Sequence, residues 1–446
     1  MEIEYPRILL VTASTFNPYT GTGILLTNLF KGWPIEKIAM IHSDSFYQDD
    51  STCKNFYKLS FGEYGFTWPF FTNINKMFDG RIGRSESTSG NNYSERAGNF
   101  TATKAIIRKT YEKVNGVLGG QEVYLRYVVS NNLLQWVNQF RPEIIYCHIS
   151  SLMNLRFARE LKNILKIPLC IHIMDDWLNV RYDKGLFASK LKSDFYQEFE
   201  SLLAGSSLRM GIGRKMCDAY EERFGYSFEP FSNAVDPAFW LQGNDNKRVK
   251  DGIFSIAYAG TINTKNVSNL KTISKIVEQL HNEKINCQLK IYTFQPRVEI
   301  YRPMFEKKPI VIMGEVPKRA EDMISLLKSA DLLFLPVDFT NVSIERMRYS
   351  MFAKIPAYMM SGTPILVYGP PEVASVEYAI KEKWAYVVAK KDEKALKDAI
   401  IDLTSNPTLR ERLRRRAQEI GIRDFDANKI RQRFHTVLAK AAFQNV

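Results

Sequence analysis

The chain has 446 residues, 45% of them hydrophobic, 24% charged and 13% aromatic; these proportions exclude a mainly disordered chain and supply material for two cores. Lys and Arg number 61 against 48 Asp and Glu, a formal net charge of +13, which favours a polyanionic partner: nucleic acid, an anionic membrane surface or a phosphorylated substrate. No apolar run approaches the length of a bilayer span, and five scattered cysteines without a C-x-x-C pair argue against a disulfide framework or structural zinc and for a reducing cytoplasm.

The acidic start, Met1 to Pro6, leads directly into a strand and is read as no secretory leader. Strands are predicted at 7–12, 37–41, 144–147, 168–173 and 208–212, with helices at 22–31 and 154–165. Continuous apolar strands alternating with helices argue for a parallel sheet covered on both faces. Residues 61–120 break this rhythm and read as a long polar loop, rich in Gly, Ser and Asn around 85–99. A polar stretch at 241–248 reads as a linker. A second series follows, with strands at 254–259, 288–293, 310–312, 331–335, 364–367 and 385–388 and helices at 267–281, 319–329 and 353–361; two basic helices at 407–443 close the chain.

Two doubly wound units in one chain form a cleft, and ligands in such sheets bind outside the carboxyl ends of the strands. The residues there are therefore the candidates. Gly21 and Gly23 follow the first strand; they either open an ordinary helix or let a phosphate approach the backbone. His148 and the His172-x-x-Asp175-Asp176-Trp177 run end two neighbouring strands, as structural hydrogen-bonders or as catalytic groups. The acid pair could hold a metal, but spacing fixes no third ligand. In the second unit Gly260-Thr261, with Lys265 behind them, fit a diphosphate or leave the lysine solvated. Gly314, Val316, Lys354 and Tyr358 lie at later strand and helix ends facing the same cleft.

Taken together, these segments resemble a GT-B glycosyltransferase of the retaining, family-4 type, as in bacterial surface-polysaccharide assembly. Asn233-Ala234-Val235-Asp236-Pro237 resembles that family's N-G-V-D-P element, and Tyr258-Ala259-Gly260-Thr261 with Lys265 its G-R-x-x-x-K phosphate turn. The stretch 312–316 followed by 330–336 resembles its G-x-V and a-D-l-l-l-x-P segments, and 354–366 the S-x-P-x-K-x-x-E-Y-x-A-S-G-x-P-I-L variant of its acidic motif. Two positions depart from the pattern: Thr261 stands for the arginine and Ala357 for the acid, with Glu345 and Glu372 as candidate substitutes.

The resemblance implies an α/β fold of two Rossmann-like domains facing each other across a cleft: 1–240 on the acceptor side, 250–425 holding the nucleotide sugar, and 426–446 crossing back. It implies transfer of a hexose or related sugar from a UDP- or GDP-linked donor to a saccharide or lipid-linked acceptor, without metal or other cofactor. His148, Asp175 and Asp176 are then catalytic. Gly21, Gly23, Gly260, Thr261, Lys265, Gly314, Val316, Lys354 and Tyr358 bind the donor, with Lys265 against the leaving diphosphate and Val316 meeting the base through its backbone. The enzyme is expected in the cytoplasm, peripheral to an anionic membrane. There the region 81–126, with eight basic and four acidic residues, approaches lipid or the acceptor's phosphates. The missing acid at Ala357 motivates a different reading, a catalytically weak subunit of the same fold that binds sugar or a partner; a nucleotide-sugar epimerase is a third. Nucleic acid is suggested by charge alone, with no supporting motif.

Overall fold

The computed structural model describes residues 3–17, 20–43, 50–66, 102–241, 252–264, 266–317 and 319–443. In the first half the strands are β1 (Ile8–Thr12), β2 (Ile38–His42), β3 (Asn55–Lys58), β4 (Tyr64–Phe66), β5 (Leu125–Tyr127), β6 (Ile144–His148), β7 (Leu169–Ile173), β8 (Leu208–Gly211) and β9 (Glu229–Pro230). Seven of them form one parallel sheet in the order β3-β2-β1-β6-β7-β8-β9, while β4 and β5 make a small antiparallel pair. Every residue of β1, β2, β6 and β7 is buried, as strands covered on both faces must be.

The second half adds β10 (Phe254–Ala259), β11 (Cys287–Thr293), β12 (Val311–Glu315), β13 (Leu332–Pro336), β14 (Ile365–Tyr368) and β15 (Tyr386–Val388). They form a second parallel sheet ordered β12-β11-β10-β13-β14-β15. In both sheets the strand order reverses direction beside the first strand, at β1/β6 and at β10/β13. These reversal points are where a crevice opens between neighbouring crossovers.

The chain passes between the halves twice, side by side. Val235 N donates to Phe425 O at 3.1 Å and Ala427 N to Val235 O at 3.0 Å. The last helix, Ala427–Phe443, lies on helix Gly21–Phe30 of the first half. Phe434, Leu438, Ala441 and Ala442 belong to the first hydrophobic core, and His435 Nε2 donates to Leu29 O at 2.9 Å. Truncating a buried phenylalanine such as Phe434 costs about 3–5 kcal/mol, so this helix is part of the first core's stability.

The stretch 61–120, read from sequence as a long loop, is corrected in part. It contains β4 and a 17-residue helix, Ala102–Leu118. Residues 102–118 contain no proline, and Gly119 with φ +101° ends the helix. Residues 67–101, including Arg81, Arg84 and Arg96 of the basic region, lie outside the described residues. Among the described residues no helix is long and apolar enough to cross a membrane.

Candidate functional site

The two reversal points carry the candidate chemistry. On the first sheet β6 ends in His148, paired in register with His172 of β7. On the second, β10 runs into Gly260, whose φ of +145° is a conformation L side chains rarely adopt. The halves meet over these ends. Asn233 Nδ2 donates to Ala353 O at 2.6 Å, a Cβ on Gly21 would lie 4.0 Å from Ala353 Cβ, and one on Gly213 would lie 3.7 Å from Met351 Cβ.

Lys354 follows Ala353 directly. Its side chain is half-buried, and its ammonium sits 4.1 Å from the centroid of the Tyr258 ring. A Cβ on Gly260 would fall 2.6 Å from Lys354 Nζ, so any side chain here would push the ammonium aside. Among the described residues the Lys354 ammonium makes no hydrogen bond and no ion pair; burial lowers its pKa to about 7. Cation–π contact offsets part of the desolvation, at about 0.5–2 kcal/mol.

The turn under this ammonium is braced. Tyr258 OH donates to Thr261 O at 2.7 Å and accepts from Asn266 Nδ2 at 2.9 Å. Tyr358 OH donates to Ala259 O at 3.2 Å and accepts from Ala259 N at 2.9 Å. Tyr358 is therefore a buried strut that positions the turn, where the sequence reading had it touching a donor. The Gly260 amide is also committed, to Tyr292 O at 2.9 Å. The next amide, that of Thr261, makes no hydrogen bond among the described residues.

Other expected donor contacts are placed differently. Gly23 N donates to the N-cap Thr20 Oγ1 at 3.0 Å, and a Cβ there would strike the Asn17 side chain at 2.3 Å. This glycine makes room for Asn17, and its amide is spent on the cap. The Tyr292 ring covers Gly314, 2.8 Å from where a Cβ would stand. Val316 is buried and its amide donates to Thr293 O at 3.0 Å, so only its carbonyl remains for a ligand. Lys265 lies outside the described residues.

His148 is 4% exposed, and among the described residues neither ring nitrogen has a partner. Burial lowers its pKa to about 4, so the ring is neutral at physiological pH and can donate or accept a hydrogen bond. His172 is saturated by contrast. Its Nε2 donates to Phe231 O at 3.2 Å and its Nδ1 accepts from Tyr146 OH at 2.6 Å. The acid pair splits. Asp176 is buried and accepts from Tyr220 OH at 2.7 Å and Asn179 Nδ2 at 2.5 Å, which makes it a brace for its loop. Asp175 lines a cavity at the cleft. Among the described residues no group of three or more His, Cys, Asp or Glu side chains converges where a metal could sit.

Ala357, at the position of the missing acid, packs against the second core. Glu345 is exposed on helix Asn341–Met347. Glu372 lies at the boundary between halves, its carbonyl accepting from Lys215 Nζ at 3.1 Å; neither carboxylate pairs with Lys354. Sequence reasoning missed Tyr258 as the platform for Lys354 and Arg346 as a cavity-lining residue. An aromatic inside a strand gives no sign of which cation will lie on it.

The profile described as Glycosyl transferases group 1 matches residues 254–406. No curated protein sequence matches the chain. Among solved structures, Anabaena HepE in complex with UDP-glucose superposes with a TM-score of 0.56 at 11% identity, over 96% of this chain and 98% of that one. Sucrose-phosphate synthase from Thermosynechococcus elongatus gives 0.59 at 12%, over 96% and 97%. The alpha,alpha-trehalose 6-phosphate synthase from Burkholderia multivorans gives 0.57 at 12%, over 99% and 100%. What these structures share with the chain is the fold, two parallel α/β sheets in the GT-B arrangement.

Proposed function

We propose that the chain is a glycosyltransferase that moves a sugar from a nucleotide-diphosphate donor held by the second half to a saccharide or lipid-linked acceptor held by the first. The observation that carries this reading is Lys354, whose ammonium has no ionic partner among the described residues and lies beside the Gly260 turn at the strand-order reversal. A diphosphate supplies the missing anion. The match of 254–406 to a glycosyltransferase profile supports the same assignment.

The chemistry is electrostatic. As the glycosidic bond breaks, charge develops on the leaving diphosphate. Lys354 and the Thr261 amide are already in place to meet it, with Lys265 as a further candidate. His148, neutral and without a partner among the described residues, gives the reacting sugar or acceptor one hydrogen bond. We favour UDP over GDP because HepE was solved with UDP-glucose, and retention of anomeric configuration, as in the family-4 enzymes that the motifs resemble. A thermal-shift series with UDP, GDP and their glucose conjugates tests donor binding, and the anomeric proton coupling of the product tests retention. Stabilisation by none of them would remove the donor reading.

Ala357 favours a second reading, a donor-binding subunit with little turnover. Release of UDP from UDP-glucose, with and without acceptor, separates the two.

The cytoplasmic, membrane-peripheral location belongs to the same proposal. Val114, Val117 and Leu186 are exposed beside Lys113 and Lys184, and Leu186 N donates to Val117 O at 2.8 Å, so they form one strip. Each lysine near an anionic surface contributes about 1 kcal/mol. Co-sedimentation with phosphatidylglycerol vesicles that fades at high salt is the expected result. Equal binding to phosphatidylcholine, or none to either, points to a soluble acceptor.

A further inference from the structure

Beside Asp175 lies a half-open cavity of about 500 Å³, walled mainly by the first half and within the range of small-molecule sites. Its walls are closely packed. Gly119 has φ +101° and Gly185 φ +116°, and a Cβ on Gly185 would fall 2.3 Å from the Gly119 Cα, so two glycines cross here in contact. Tyr182 OH donates to the buried Glu122 at 2.8 Å and accepts from Leu152 N at 3.0 Å. The Arg181 guanidinium lies 4.8 Å from the centroid of the Trp177 ring and 4.0 Å from Glu122. Carboxylate, guanidinium, amide and indole groups around one space are suited to a hydroxyl-rich ligand.

The charges in this cavity are not all answered from within. Arg181 faces Glu122, and Asp175 is engaged within the protein. Arg346 lines the cavity from the second half, on helix Asn341–Met347, and among the described residues its exposed guanidinium has no hydrogen bond and no ion pair. We propose that the cavity takes a saccharide bearing an anionic substituent, a phosphate or carboxylate, which Arg346 meets from across the cleft. A guanidinium pairs with either group in bidentate fashion. Under the glycosyltransferase reading, on which this rests, the ligand is the acceptor, and its anionic group is the feature that distinguishes it from neutral sugars.

The test is isothermal titration of the full chain with glucose, glucose 6-phosphate and glucosyl decyl diphosphate, each beside a UDP titration of the same preparation. Either anionic probe is expected to bind about tenfold tighter than glucose, the scale of one charge-assisted pair. Preference for the decyl compound assigns a lipid-linked source of the phosphate, and preference for the hexose phosphate a soluble one. Arg346→Ala should bring the anionic probe to the level of glucose while Arg346→Lys keeps part of the preference; UDP affinity should stay unchanged in both. A loss of packing alone would weaken all sugars together and leave the ratio intact. Equal binding of neutral and anionic probes, or a preference that survives Arg346→Ala, overturns the inference. A protein that binds UDP without this preference refutes only the cavity assignment, whereas one that fails to bind UDP refutes the donor reading.

Discussion

Replacing Lys354 with methionine keeps most of its volume over the Tyr258 ring and removes the charge. The lost interaction is a charge-assisted hydrogen bond to the diphosphate, worth about 1.5–3 kcal/mol, so the UDP dissociation constant should rise roughly tenfold to a hundredfold. The pH dependence is sharper evidence. Burial lowers the Lys354 pKa from 10.5 to about 7, so above neutrality the free protein progressively loses the proton that the diphosphate needs. Bound diphosphate favours the ammonium, so binding takes up a proton. Affinity should fall by about tenfold for each pH unit above 7, up to the pKa of the complex. Stability of the free protein moves the other way. Between about 7 and 10.5 the unfolded chain holds more protons at this site, so this group's contribution to folding stability rises with pH. Tyr258 and Tyr358, the phenols packed around the turn, are held above their ordinary range by burial and stay neutral there. Calorimetry of UDP binding in two buffers of different ionisation enthalpy reads the proton uptake directly. Zero uptake at pH 8, or an unchanged dissociation constant for Lys354→Met, would refute the placement of the diphosphate on this ammonium.

Gly260→Ala forces a Cβ into a left-handed backbone and against Lys354 Nζ. It should cost about 1–3 kcal/mol and weaken UDP binding, as thermal melts with and without UDP will show. His148→Ala should slow transfer roughly fivefold, since one neutral hydrogen bond is worth about 1 kcal/mol, while UDP affinity stays near normal; wild-type turnover would remove His148 from the site. Because its pKa lies near 4, no break near pH 6.5 in the kcat profile should trace to this residue. Transfer should survive EDTA, with cation and backbone groups meeting the leaving charge; a strict divalent requirement would bring Asp175 and Asp176 back as ligands.

The sequence by itself determined the two parallel sheets. Runs such as Ile8–Thr12, Ile144–His148 and Leu332–Pro336 are apolar throughout because both faces are covered, and that periodicity needs no partner to be legible. It also located Gly260, since a glycine ending a strand before a helix signals a close approach whatever surrounds it. What it left undecided was each side chain's neighbour. Tyr358, Asp176 and Gly23 stand at the expected strand and helix ends, yet their polar groups are spent on Ala259, Tyr220 and Thr20. Arg346 looks like any surface cation in the sequence, and Lys354, though named at a helix end by the cleft, carries no sign there of the ring beneath it. The fold sets Lys354 over an aromatic ring, with no counter-ion among the described residues, and lets the exposed Arg346 line a cavity of the opposite half. Hydrophobic period is a property of a few consecutive residues and survives without context. Whether a charge is paired depends on groups a hundred residues away, and only the packing of the two halves brings those groups close.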